Sequence, residues 1–133
     1  MIYILDSPAL LNDENFSFEK GNKYFVTSMV FDELKDFRSK SLAENAQSQE
    51  LLTVQDPCPL SIQITNQKCA ESGTEISDTD ISVIALAIEF RERNEKFVVI
   101  TDDYSVQNIL KKLKIKFKGV IQGEIKKHRS FKN

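Results

Sequence analysis

Phe97-Val98-Val99-Ile100-Thr101-Asp102-Asp103 is the stretch on which the fold turns. Four apolar residues without alternation describe a strand covered on both faces, as in a parallel sheet, and acids follow directly where that strand would end. The chain opens the same way, with Ile2-Tyr3-Ile4-Leu5 running into Asp6. Tyr24-Phe25-Val26 and Leu51-Leu52-Thr53-Val54 are two more short apolar runs. Lys114-Ile115-Lys116-Phe117-Lys118 alternates instead and reads as an edge strand, with lysines on one face that discourage edge-to-edge pairing.

Between these runs lie helical patterns. One carries Val30, Leu34 and Phe37 after Thr27-Ser28, and another carries Ile81, Ile84, Ala85 and Ile88 after Ser77. Further helices are expected near residues 8 to 16, 60 to 72 and 104 to 113. Gln55-Asp56-Pro57-Cys58-Pro59 is a turn, because prolines so close suit neither a helix interior nor a central strand. Ser39 to Glu50, rich in Ser, Gln, Glu and Asn, reads as a mobile helix end or loop. Alternating strands and helices argue for an α/β three-layer sandwich, and no repeat or linker divides residues 1–133, so one domain is expected.

At 133 residues, 41% apolar and 29% charged, the chain can bury a core and is neither disordered nor fibrous. Its apolar runs fall far short of the roughly 18 residues that suggest a membrane span. Met1 leads straight into a strand-like run and then an acid, with no secretory signal, so a cytoplasmic location without membrane attachment is the expectation. Cys58 and Cys69 show no CxxC spacing and read as core or loop residues. His128 is the single histidine and sits in the basic tail Lys126-Lys127-His128-Arg129, which leaves serine-histidine-aspartate chemistry without support. The net charge of −2 conceals an asymmetry: residues 111–133 hold nine bases and one acid, whereas residues 1–110 hold nine bases and 19 acids. One end suits anions and the other suits cations.

Asp6, Asp102 and Asp103 fall at the carboxyl ends of strands, the rim where open α/β sheets bind ligands. Turn formation or helix capping explains each of them equally well taken singly. Glu33 lies three residues after Val30 and four before Phe37, which sets it beside an apolar stripe where it needs a cation or donors, or else reaches back to water. Asp80 completes a capping box from Ser77, yet the helix it opens is apolar on most sides and therefore central. Were these acids to converge, two unit charges about 4 Å apart would repel by roughly 4 kcal/mol at an effective dielectric of about 20. A cation would have to hold them. An all-oxygen set without His or Cys calls for Mg²⁺ or Mn²⁺. Such an ion activates water and stabilises charge on a phosphate undergoing displacement. The lysine-rich end then reads either as a polyanion-binding groove or as a solvated basic face.

Four strings taken in order resemble PIN domains: Ile4-Leu5-Asp6-Ser7, Val26 through Asp36, Ile76 through Ala87, and Thr101-Asp102-Asp103-Tyr104-Ser105-Val106-Gln107-Asn108. More narrowly they resemble the Nob branch, endonucleases that trim the 3′ end of small-subunit ribosomal RNA. The resemblance implies a PIN-like α/β/α sandwich around a parallel five-stranded sheet, with segment 111–133 supplying the sheet edge and tail. It implies a Mg²⁺- or Mn²⁺-dependent endoribonuclease with Asp6, Glu33, Asp80 and Asp103 as its core acids. Asp102, the extra acid of the Nob-type string, joins Asp6, Asp80 and Asp103 in the metal set. RNA, as a ribosomal RNA precursor, and the small ribosomal subunit are the implied partners, and a homodimer is compatible with the fold.

Nob-type proteins commonly carry a four-cysteine zinc ribbon, for which Cys58 and Cys69 are no substitute. PIN toxins of the VapC type also lack a ribbon, so a toxin ribonuclease is the alternative reading. An inactive RNA-binding scaffold is another. A haloacid-dehalogenase-like phosphatase would need a second Asp two residues after Asp6, where Pro8 stands, and no glycine-rich turn exists for a dinucleotide.

Overall fold

The computed structural model describes residues 1–6 and 16–119. Five strands form one sheet: β1 (Ile2–Leu5), β2 (Lys23–Val26), β3 (Leu52–Val54), β4 (Phe97–Ile100) and β5 (Phe117–Lys118). Their order is β3-β2-β1-β4-β5, and every neighbouring pair is parallel. The unbroken apolar runs therefore do what they imply. Ile4, Leu5, Val26 and Val99 are buried, with helices over both faces of the sheet.

The helices are α1 (Ser28–Asp32), α2 (Phe37–Ser48), α3 (Pro59–Ser72), α4 (Asp78–Glu92) and α5 (Tyr104–Lys112). With strand order β3-β2-β1-β4-β5, the right-handed rule for parallel crossovers assigns α2 to one side of the sheet and α3, α4 and α5 to the other. Contacts among α3, α4 and α5, and between α2 and β3, follow that division. The result is a PIN-like α/β/α sandwich. Helix α4 lies at its centre, with every residue from Ile81 to Ile88 buried. Phe90 on α4 meets Phe25 of β2 and Phe97 of β4 edge to face, at centroid distances of 5.0 and 5.7 Å. These contacts tie α4 to the strands on either side of β1.

Three expectations need correction. Val30, Leu34 and Phe37 do not share one helix: α1 ends at Asp32, and Asp36 caps a new helix by accepting from Ser39 N at 3.3 Å. Leu34 still reaches the core, but Phe37 is 87% exposed. Ser39 to Glu50 is no loop, since α2 occupies it through Ser48. Its polar composition hides a close-packed face of Ser39, Ala43 and Ala46, all buried. Only Phe117 and Lys118 pair in the lysine-rich edge strand, because Lys114 takes a left-handed φ of 60° and breaks the run. The helix expected near residues 8 to 16 and the tail from residue 120, with His128, lie outside the described residues. Pro59 opens α3 at its first turn, where no backbone N–H is missed. Both cysteines are free, Cys69 buried and Cys58 exposed.

Candidate active site

Strand order reverses direction between β1 and β4, because β1 leads toward β2 on one side and β4 leads to β5 on the other. Ligand sites of open α/β sheets form outside the carboxyl ends of strands at such a switch. Asp6 ends β1 there, and its backbone N–H donates to Ile100 O at 3.0 Å, locking it to the end of β4. Thr101 follows β4 and is fully buried. Its hydroxyl donates to Asp6 Oδ2 at 2.5 Å and accepts from Asp103 N at 3.1 Å. One threonine thus joins the acids of two strand ends. Gln107 Nε2 donates to Thr101 O at 2.8 Å and secures the turn from the α5 side.

Asp6 is 2% exposed, and its Oδ1 is buried without a hydrogen-bond partner among the described residues. The Asp80 carboxyl comes within side-chain hydrogen-bonding reach of Asp6, but two ionised carboxylates only accept. A proton or a cation must lie between them. Burial pushes the Asp6 carboxyl up to about 8, against the Thr101 hydrogen bond and with the charges of Asp80 and Asp103 adding to the rise. Burial also raises Asp80, with Asp103 and Glu33 adding and the contacts to Asp6 and Ser77 opposing. Asp80 thus feels the charges of Asp103 and Glu33, and Asp6 those of Asp80 and Asp103.

Asp80 is placed by the entry of α4, where Ser77 accepts from Asp80 N at 3.2 Å. Capping and convergence are both true of this residue. Glu33 stands at the C-terminal cap of α1 and is exposed, not set beside a buried helical stripe as its spacing implied. Its partner is Thr79, whose hydroxyl donates to Glu33 Oε2 at 2.5 Å. Thr27 and Ser82 hydroxyls, 2.8 Å apart, fasten the start of α1 to α4 beneath that contact. Asp103 caps α5 with Oδ1, accepting from Ser105 N and Val106 N at 2.8 and 3.2 Å. Asp102 is exposed beside it.

Among the described residues no three acids close into a finished metal cluster, because Glu33 is turned to Thr79 and Asp103 to its cap. The donor chemistry nevertheless fits a hard divalent cation. All the groups are carboxylates, and among the described residues one of them, Asp6, presents a buried oxygen without a hydrogen-bond donor. Thr79, Ser82, Thr101 and Gln107 are the contributors that sequence reading missed. Hydroxyl and amide side chains carry no charge pattern, and only the position of Thr101 between strand and acid pair hints at its part.

Residues 3–90 match the family described as the PIN domain of ribonuclease. The chain belongs to that family. This PIN domain is 34% identical over 125 residues to endoribonuclease Nob1 of Methanothermobacter thermautotrophicus, covering 92% of the chain and 71% of that protein. It is 30% identical over 119 residues to endoribonuclease Nob1 of Methanocaldococcus jannaschii, where it spans 90% of the chain and only 56% of the relative. In structure the PIN domain is similar to the crystal structure of VapBC2 from Rickettsia felis bound to a DNA fragment, at a TM-score of 0.60 and 16% identity. That match covers 90% of this chain and 98% of the other, and it shows a shared fold.

Proposed function

We propose that this PIN domain is a divalent-metal-dependent endoribonuclease of the Nob type, acting on a precursor of small-subunit ribosomal RNA in the cytoplasm. The observation that carries the metal-dependent chemistry is Asp6, buried at the switch point with an orphaned oxygen and facing a second carboxyl. Similarity to two archaeal Nob1 endoribonucleases supports the substrate.

In this reading Asp6, Asp80 and Asp103 hold Mg²⁺ or Mn²⁺, with Asp102 at the margin of the set. The bound ion supplies an activated water and a positive charge against the scissile phosphate. By donating to Oδ2, Thr101 would fix the orientation of the Asp6 carboxyl and leave Oδ1 as the oxygen that could hold the cation. Thr79 occupies Glu33 Oε2, so Oε1 is the oxygen free to take a proton from water attacking phosphorus. Attack would break the bond to the 3′-oxygen, which takes a proton from solvent, and leave a 5′-phosphate and a 3′-hydroxyl.

Cleavage of single-stranded RNA is expected only with Mg²⁺ or Mn²⁺. Asp6→Asn and Asp80→Asn each abolish it while circular dichroism shows the fold retained. Full activity in EDTA, or cleavage by either variant, refutes the proposal. Mapping cuts on a small-subunit 3′ precursor beside tRNAs distinguishes substrates: one cut at the mature end supports maturation, and a cut confined to tRNA identifies a toxin-like nuclease.

A further inference from the structure

Tyr104 follows Asp103 directly and is 78% exposed at the first turn of α5. Among the described residues no hydrogen bond or ring contact holds its side chain, whereas Tyr3 and Tyr24 both sit in aromatic stacks. Tyr104 is the first residue of α5, directly after the capping Asp103, and consecutive Cα atoms are about 3.8 Å apart, so its backbone stands at the strand-end rim beside the acid that acts on Asp6 and Asp80. Nothing structural accounts for an aromatic there. The helix is capped by the side chain of Asp103 and docked by Val106, Ile109 and Leu110, which are buried. Phe37 is still more exposed, but no contact connects it to Asp6 or Asp80.

We infer that Tyr104 is a stacking platform for an unpaired nucleobase flanking the scissile phosphate, which makes it a substrate-positioning residue of this nuclease. The inference rests on the endoribonuclease reading. A cluster of acids repels a phosphate backbone except through a cation, so a neutral surface beside it can add affinity without meeting that repulsion. An aromatic face is such a surface and accepts any base, but only an unstacked one. The chemical class of ligand is thus single-stranded RNA at the cut, with Tyr104 holding one base while the adjacent phosphate enters the acidic centre.

The experiment uses the intact chain and a short single-stranded oligoribonucleotide spanning the mapped cut. Matched strands carry one abasic residue at successive positions around that cut. Steady-state cleavage with Mn²⁺ gives KM and kcat, and fluorescence anisotropy of the labelled strands on an Asp80→Asn background gives Kd. Tyr104→Ala is expected to raise KM and Kd on the intact strand by roughly five- to 100-fold, with kcat nearly unchanged. Tyr104→Phe and Tyr104→Trp restore both. On the strand abasic at the stacked position, Tyr104→Ala and the parent bind equally. An unchanged Kd for Tyr104→Ala on the intact strand, or the same loss on every abasic strand, overturns the proposal. Should the parent fail to cut, the nuclease reading falls, while the same anisotropy comparison on a short oligouridylate made abasic at each position in turn still decides for or against the platform.

Discussion

Asp6 carries a cost that its neighbours do not remove. In the unfolded chain the carboxyl ionises near 3.8, and in the fold near about 8, raised first by burial. Between those values the unfolded chain has released the proton while the native state keeps it, so rising pH favours unfolding throughout that window. Below 3.8 both states are protonated and the effect is absent, whereas above about 8 the penalty is fully developed. In EDTA, the difference in urea midpoint between Asp6→Asn and the parent is therefore expected to grow in favour of the variant from the lower value to the upper one. Saturating Mg²⁺ should shrink that difference, since a ligand that binds only the native state stabilises it. Parallel pH profiles for the two proteins in EDTA would refute the assignment of the raised carboxyl to Asp6.

At the scale of elements, α4 determines where Asp80 sits, and its lateral position depends on Phe90 lodged between Phe25 and Phe97. Phe90→Ala is expected to cost about 3–5 kcal/mol in chemical denaturation, as for other large-to-small changes at buried aromatics. Phe90→Leu should recover most of that loss. A cost below about 1 kcal/mol for the alanine variant would show that α4 is held chiefly by its other contacts. Strands and α4 were legible in sequence because unbroken apolar runs have few places to go except a covered sheet and a central helix. Residues 28–48 were less so. A Val30, Leu34, Phe37 spacing suits one helix, but Asp36 offers its side chain to Ser39 N and starts another. Helix α2 buries only small residues, so its docking face never appears as hydrophobic periodicity. In the site, Asp6, Asp102 and Asp103 could be found from their places at strand ends and Asp80 from its capping box, whereas Glu33 was set on the wrong stretch of helix and Thr101 was legible only in part. The Thr79 bond to Glu33 spans 46 residues and depends on how α1 meets α4, which no local pattern encodes.

Across the whole molecule, the fold separates the lysines of residues 111–118 into two places. Lys111 and Lys112 close α5, about 12 Å along the axis from Tyr104 at a rise of about 1.5 Å per residue. They complement the negative end of the helix dipole, at the end of α5 away from Asp103. Lys118 lies elsewhere. It pairs in register with Ile100, and its carbonyl accepts from Thr101 N at 3.0 Å, so its exposed side chain belongs to the rim that carries Asp6, Thr101 and Asp103. If the proposed nuclease draws a strand across the acidic centre, its phosphates are expected to pass Lys118 before any other lysine of residues 111–118. Each phosphate contact to a single strand contributes about 0.7 to the slope of log K against log salt. Lys118→Ala is therefore expected to reduce that slope by about 0.7 in anisotropy titrations of single-stranded RNA, whereas Lys111→Ala with Lys112→Ala leaves it nearly unchanged. Equal losses from both variants would mean that RNA follows the full length of α5, and the path over the sheet edge would be wrong.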